Sequence, residues 1–104
     1  MDKGIVKRVI GPVVDVHFSS GQLPEIYHAV EVPLEDHKVV MEVVQQIGGG
    51  DVRCIALAST DGISRGCEAV NTGIRNATGL YFKVIEEWSE DTIKVGIMSA
   101  ICGT

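Results

Sequence analysis

The chain has 104 residues, 45% of them hydrophobic, and a formal net charge of −5. That length gives room for one domain, and the apolar content argues against disorder. The nine Lys and Arg are scattered, only Lys7 and Arg8 being adjacent, which argues against a nucleic-acid surface built from clustered cations.

The start, Met1-Asp2-Lys3-Gly4, enters a strand pattern directly, with no basic region followed by an apolar run. Ile5, Lys7 and Val9 alternate with Val6, Arg8 and Ile10, and Val14, Val16 and Phe18 alternate with Val13, Asp15 and His17. A period of two places alternate side chains on one face of a strand. Val30, Val32 and Leu34 continue the pattern, followed by the runs Val39–Ile47, Val52–Leu57 and Cys67–Val70. All are rich in β-branched residues, which suit a pleated surface. Between them stand Gly11-Pro12, Ser19-Ser20-Gly21, Glu35-Asp36-His37, Gly48-Gly49-Gly50 and Ser59-Thr60-Asp61-Gly62, each a turn signal.

Short strands at this spacing predict an all-β fold, a small barrel or sandwich. Closure is preferred because it removes unpaired edges. Little helix is expected, since no segment carries a long apolar period of 3.6. The segment Thr72–Gly79 reads as a connecting loop. Beyond it, Leu80–Trp88 and Thr92–Met98 alternate around Ser89-Glu90-Asp91, which predicts a C-terminal β-hairpin packing on or extending the barrel.

The order Ile10-Gly11-Pro12-Val13-Val14-Asp15-Val16, Gly21-Gln22-Leu23-Pro24-Glu25-Ile26-Tyr27, Glu42-Val43-Val44-Gln45-Gln46-Ile47-Gly48, Val52-Arg53-Cys54-Ile55-Ala56-Leu57, Ser59-Thr60-Asp61-Gly62-Ile63 and Arg65-Gly66 is specific as a series. Over about residues 4–73 it resembles the N-terminal β-barrel, or crown, domain of the F-type ATP synthase β subunit. The resemblance implies a closed six-stranded barrel that joins alternating α and β barrels in a ring and steadies the catalytic hexamer. It implies protein partners, either such barrels or further copies of this chain, and no nucleotide bound by the barrel. The domains so expected are 1–73, the barrel, and 74–104, a tail without recognised family.

The likeness stops at Ile74, where the family proceeds to a P-loop. No Gly-x-x-x-x-Gly-Lys-Ser/Thr occurs in these residues, so no backbone cradle and Lys for phosphates is formed by them. The chain by itself is therefore expected not to be an enzyme and to need no cofactor, as a truncated or chimeric form of the resembled subunit. The resemblance implies a parent complex that makes ATP and transports protons. The expected location is cytoplasmic, or peripheral on a membrane complex; no apolar stretch approaches the ~20 residues of a spanning helix. The alternative function is a small-ligand or protein-binding barrel that uses the aromatic tail.

No catalytic or metal residue is assigned. Gly48-Gly49-Gly50 lacks a following Lys and reads as a hairpin turn. His17, His28 and His37 lie in separate segments without ligand spacing. Asp15 and Asp61 are given turn and rim roles, with an Asp or Ser side chain near Asp61 bonding a backbone N–H. Cys54, Cys67 and Cys102 show no CxxC spacing and an odd count, so they are read as reduced thiols, and neither Cys67 nor Cys102 has a motif for a nucleophile. Asn76-Ala77-Thr78 fits a glycosylation sequon without a secretory signal to use it. The candidate interface is Tyr81, Phe82 and Trp88, three of the five aromatic residues, as an apolar patch on the tail.

Overall fold

A computed structural model describes residues 2–19, 23–75 and 77–85. Six strands, β1 (Lys3–Ile10), β2 (Val13–His17), β3 (Ala29–Pro33), β4 (Lys38–Gly48), β5 (Asp51–Ala56) and β6 (Glu68–Asn71), precede one helix, α1 (Ala77–Ile85). The strands close into a barrel in the order β1-β2-β5-β4-β3-β6, every neighbouring pair antiparallel.

The alternation read from the sequence decides which side chains fill the interior. Val14 and Val16 on β2, Val30 and Val32 on β3, Met41 and Val43 on β4 and Val52 on β5 are wholly buried in one cluster. Strand β1 departs from simple alternation. The pairing of β1 with β2 shifts register between Val6 and Arg8, a bulge at Lys7. Val6 and Val9 both reach the core cluster although they stand three positions apart, and Arg8 comes to lie opposite Asp15.

The β4–β5 connection turns on glycine. Gly48, Gly49 and Gly50 all have positive φ, of 108°, 67° and 90°. Gly50 is also crowded, because a Cβ there would stand 2.7 Å from the carbonyl oxygen of Phe18. Gly50→Ala is thus expected to lower stability by about 2 kcal/mol, from left-handed strain plus a clash with backbone. Thermal melts should show this loss, with Gly49→Ala costing less because nothing lies within 4 Å of the place its Cβ would take.

The tail differs from the expected hairpin. Residues 77–85 form α1, so the stretch from Leu80 to Ile85 is helical, not the first hairpin strand, and the connecting loop ends before Ala77. Two physical reasons account for this. The closed barrel leaves no free strand edge, since β6 already pairs with both β1 and β3. The same residues also place Ala77, Leu80 and Tyr81 at the i, i+3, i+4 spacing of a helical stripe. That stripe packs on Ala29 and Val40, which point outward from β3 and β4 yet are fully buried, and on Leu57. The rest of the expected hairpin, with Trp88, lies outside the described residues.

Candidate functional site

The outer face of β1, β2 and β5 carries a row of charges that the register brings together. Arg8 pairs with Asp15 across β1–β2, and Asp15 with Arg53 across β2–β5. Arg8 donates to Asp15 Oδ2 from Nε at 3.2 Å and from Nη2 at 2.7 Å. Arg53 donates from Nε to Oδ1 at 3.0 Å and from Nη2 to Oδ2 at 3.2 Å. The two guanidiniums cover the carboxylate, leaving Asp15 only 6% exposed in the middle of the sheet. Hydrogen bonds from Arg53 hold its carboxyl below the ordinary aspartate range; burial opposes this and Arg8 adds to it. The Arg53 guanidinium is held protonated more firmly by the same contact.

A second polar contact adjoins this row. Asp51 Oδ1 lies 2.6 Å from His17 Nδ1, and Lys7 Nζ donates to Asp51 Oδ2 at 3.2 Å. His17, with Lys7 assisting, draws the Asp51 carboxyl below its usual range. Each guanidinium in the row bonds Asp15 through its Nε and Nη2. The arrangement suits recognition of carboxylates by oriented cations.

The sequence model of the ATP synthase alpha/beta family, beta-barrel domain, matches residues 6–73. This chain belongs to that family. The matched residues run from Val6 on β1 to Gly73 just beyond β6, and so take in most of β1 and the whole of the other five strands of the closed barrel.

Within this family barrel the residues singled out from sequence are dispersed. His17 lies on β2 beside Asp51, His28 precedes β3 with Nε2 3.5 Å from Glu25, and His37 sits in the β3–β4 turn 2.6 Å from Asp36. Among the described residues no three His, Cys, Asp or Glu side chains gather as a metal site. The glycines 48–50 form the hairpin turn expected of them. Asp61 donates its N–H to Ser59 Oγ at 3.1 Å, the turn bond foreseen for that segment. Asp15 does not fit the turn or rim role expected of it. It stands mid-strand between two arginines, because burying a carboxylate on a sheet face requires paired cations.

Cys54 is buried in the core and desolvation pushes its thiol up to about 12, which suppresses the reactive thiolate. Cys67 Sγ accepts a hydrogen bond from the Ser64 N–H at 3.4 Å, and Cys102 lies outside the described residues. Of the candidate interface, Tyr81 is half-buried against the β3–β4 wall, Phe82 falls on α1, and Trp88 is not among the described residues. A cleft of about 340 Å³ opens between the start of the chain and the end of β6, with Asp2, Glu25, His28 and Thr72 in its lining. No helix among the described residues is long and apolar enough to cross a membrane.

The Arg8–Asp15–Arg53 row escaped the sequence reading. Its one signal was an Asp at the centre of an otherwise apolar strand, Val13-Val14-Asp15-Val16, where an unpaired carboxylate is too costly.

Proposed function

We propose that this barrel is a structural and assembly module of the ATP synthase β type, joining side to side with other barrels of its family and performing no catalysis by itself. The observation that carries this reading is the coincidence of the family match with a closed barrel whose outer wall presents oriented charges in place of a reactive group. A closed barrel exposes no strand edge, so association by strand addition is unavailable and its walls must make the contacts. The absence of a P-loop sequence from these residues supports the lack of chemistry.

Two measurements test the proposal. Sedimentation of the chain mixed with a separately purified α-type barrel of the family should reveal a complex heavier than either component. Calorimetric titration with Mg-ATP should give no binding heat. A barrel that ignores the α-type partner and binds ATP would overturn the reading.

A further inference from the structure

The cleft between the start of the chain and the end of β6 has a volume of about 340 Å³, within the range of small-molecule sites. Asp2 and Glu25 bring two carboxylates to its lining and Leu23 an apolar side chain, while none of the described residues that line it is Lys or Arg. Its walls are fixed from three directions. Asp2 O accepts the Asn71 N–H at 2.8 Å, which ties the start of the chain to β6, and Thr72 Oγ1 donates to Ala29 O at 2.8 Å. The loop carrying Glu25 and His28 is pinned to β4, with Gln46 Nε2 donating to Pro24 O at 2.9 Å, the Tyr27 N–H to Val43 O at 2.8 Å and the Val43 N–H to His28 O at 3.0 Å. Tyr27 has a φ of 74° in that loop. This left-handed conformation is costly for a bulky residue, and strain of this kind gathers at ligand-holding segments.

Two groups in the cleft keep unused acceptor capacity. His28 turns Nε2 to the Glu25 carboxylate at 3.5 Å, which makes that nitrogen the protonated one and Nδ1 an acceptor. Nδ1 is buried with no hydrogen-bond partner, a state that folded proteins seldom tolerate. On Glu25, the Arg75 Nη2 contact at 3.2 Å and the His28 contact both fall on Oε2, so Oε1 keeps its own capacity. The Arg75 side chain is 72% exposed, so its pairing is solvated and weakly held.

We propose that this cleft binds a small aliphatic amine as its ammonium ion, with Glu25 and Asp2 taking the charge and Leu23 flanking the alkyl chain. An ammonium is compact and spreads three donors, which suits acceptors brought together from separate segments. Two donors go to the carboxylates and the third supplies the His28 ring. A planar guanidinium suits the edge of one carboxylate and fits this arrangement less well. Fixed walls keep the ordering cost of binding low. Arg75 competes with the ligand for Glu25, so the chain's own side chain weakens the site. Neither this site nor the assembly reading depends on the other.

The test is titration of the full chain with butylamine at neutral pH, followed by two-dimensional amide NMR. Shifts should saturate with a Kd on the order of millimolar and centre on Asp2, Leu23, Glu25, His28 and residues 71–73. Neutral butanol should leave these signals unmoved, and methylguanidine should bind less tightly. Glu25→Gln should weaken butylamine binding about tenfold, whereas Arg75→Gln should tighten it about threefold by removing the competitor. The same spectra show whether each variant folds, and the exposed Arg75 position decides alone if Glu25→Gln does not. Shifts that never saturate and are matched by NaCl would mean general counter-ion pairing and overturn the proposal. So would equal shifts from butanol, or an affinity that Arg75→Gln leaves unchanged.

Discussion

Replacing Asp15 with Ala is expected to destabilise the barrel by about 2 kcal/mol and to change how the protein responds to acid. The carboxylate accepts four hydrogen bonds from Arg8 and Arg53 on the β1–β2–β5 wall, and these bonds cross both strand pairs. Removing it leaves two cations side by side without their counter-ion. The loss stays below that of a deeply buried pair because both arginines reach solvent and can rehydrate, the Arg8 side chain being 58% exposed. In a domain of this size about 2 kcal/mol corresponds to a melting temperature roughly 8–16 °C lower.

The sign of the pH effect follows from the direction of the shift. The folded-state carboxyl of Asp15 is held below its ordinary value of 3.8, so the folded state binds a proton less readily than the unfolded chain. Its contribution is present in full well above that value and is lost as pH falls through it toward the lower folded-state value. Wild-type stability should therefore decline on acidification below about pH 5, and Asp15→Asn should decline less steeply. Denaturant melts of both proteins at neutral pH and at pH 3 give the comparison. Equal acid sensitivity in the two would mean that the Arg pairs do not hold the carboxylate ionised.

Met41→Ala is expected to cost about 3 kcal/mol. Met41 is wholly buried on β4, inside the cluster that includes Val30, Val43 and Val52. Truncation removes its apolar contacts and leaves a cavity that a closed barrel collapses into poorly, because hydrogen-bonded strands surround it on all sides. Met41→Leu conserves volume and should cost less than about 1.5 kcal/mol. Equilibrium urea unfolding of the pair separates loss of packing from a general intolerance of substitution. A small cost for Ala, similar to that for Leu, would place the side chain at a loosely packed position.

The strands and the interior were legible before the structure because burial on one face imposes a period of two on the residue types. Val14 with Val16, Val30 with Val32, and Met41 with Val43 all declare the inner wall in this way. Turn chemistry was legible for a similar reason. Positive φ at Gly48, Gly49 and Gly50 is a local requirement, written at the residues that need it. The Arg8–Asp15–Arg53 row was not legible. Its members stand 7 and 38 positions apart, and a bulge at Lys7 settles which β1 residue faces Asp15.

The tail shows the same division from the other side. Leu80 to Ile85 satisfies both a strand period and a helical stripe, and local pattern offers no means of choosing between them. The barrel bears on the choice: with both edges of β6 taken, the closed sheet offers no strand partner, while Ala29 and Val40 offer an apolar seat on the outer wall. The sequence alone thus determined the six strands, their buried faces, their turns and the family, since each rests on neighbours in the chain or on a long ordered series of motifs. Only the tertiary structure decided the helix and the charged row. Both depend on which distant residues closure brings to the outer surface, and that is a property of strand order and register.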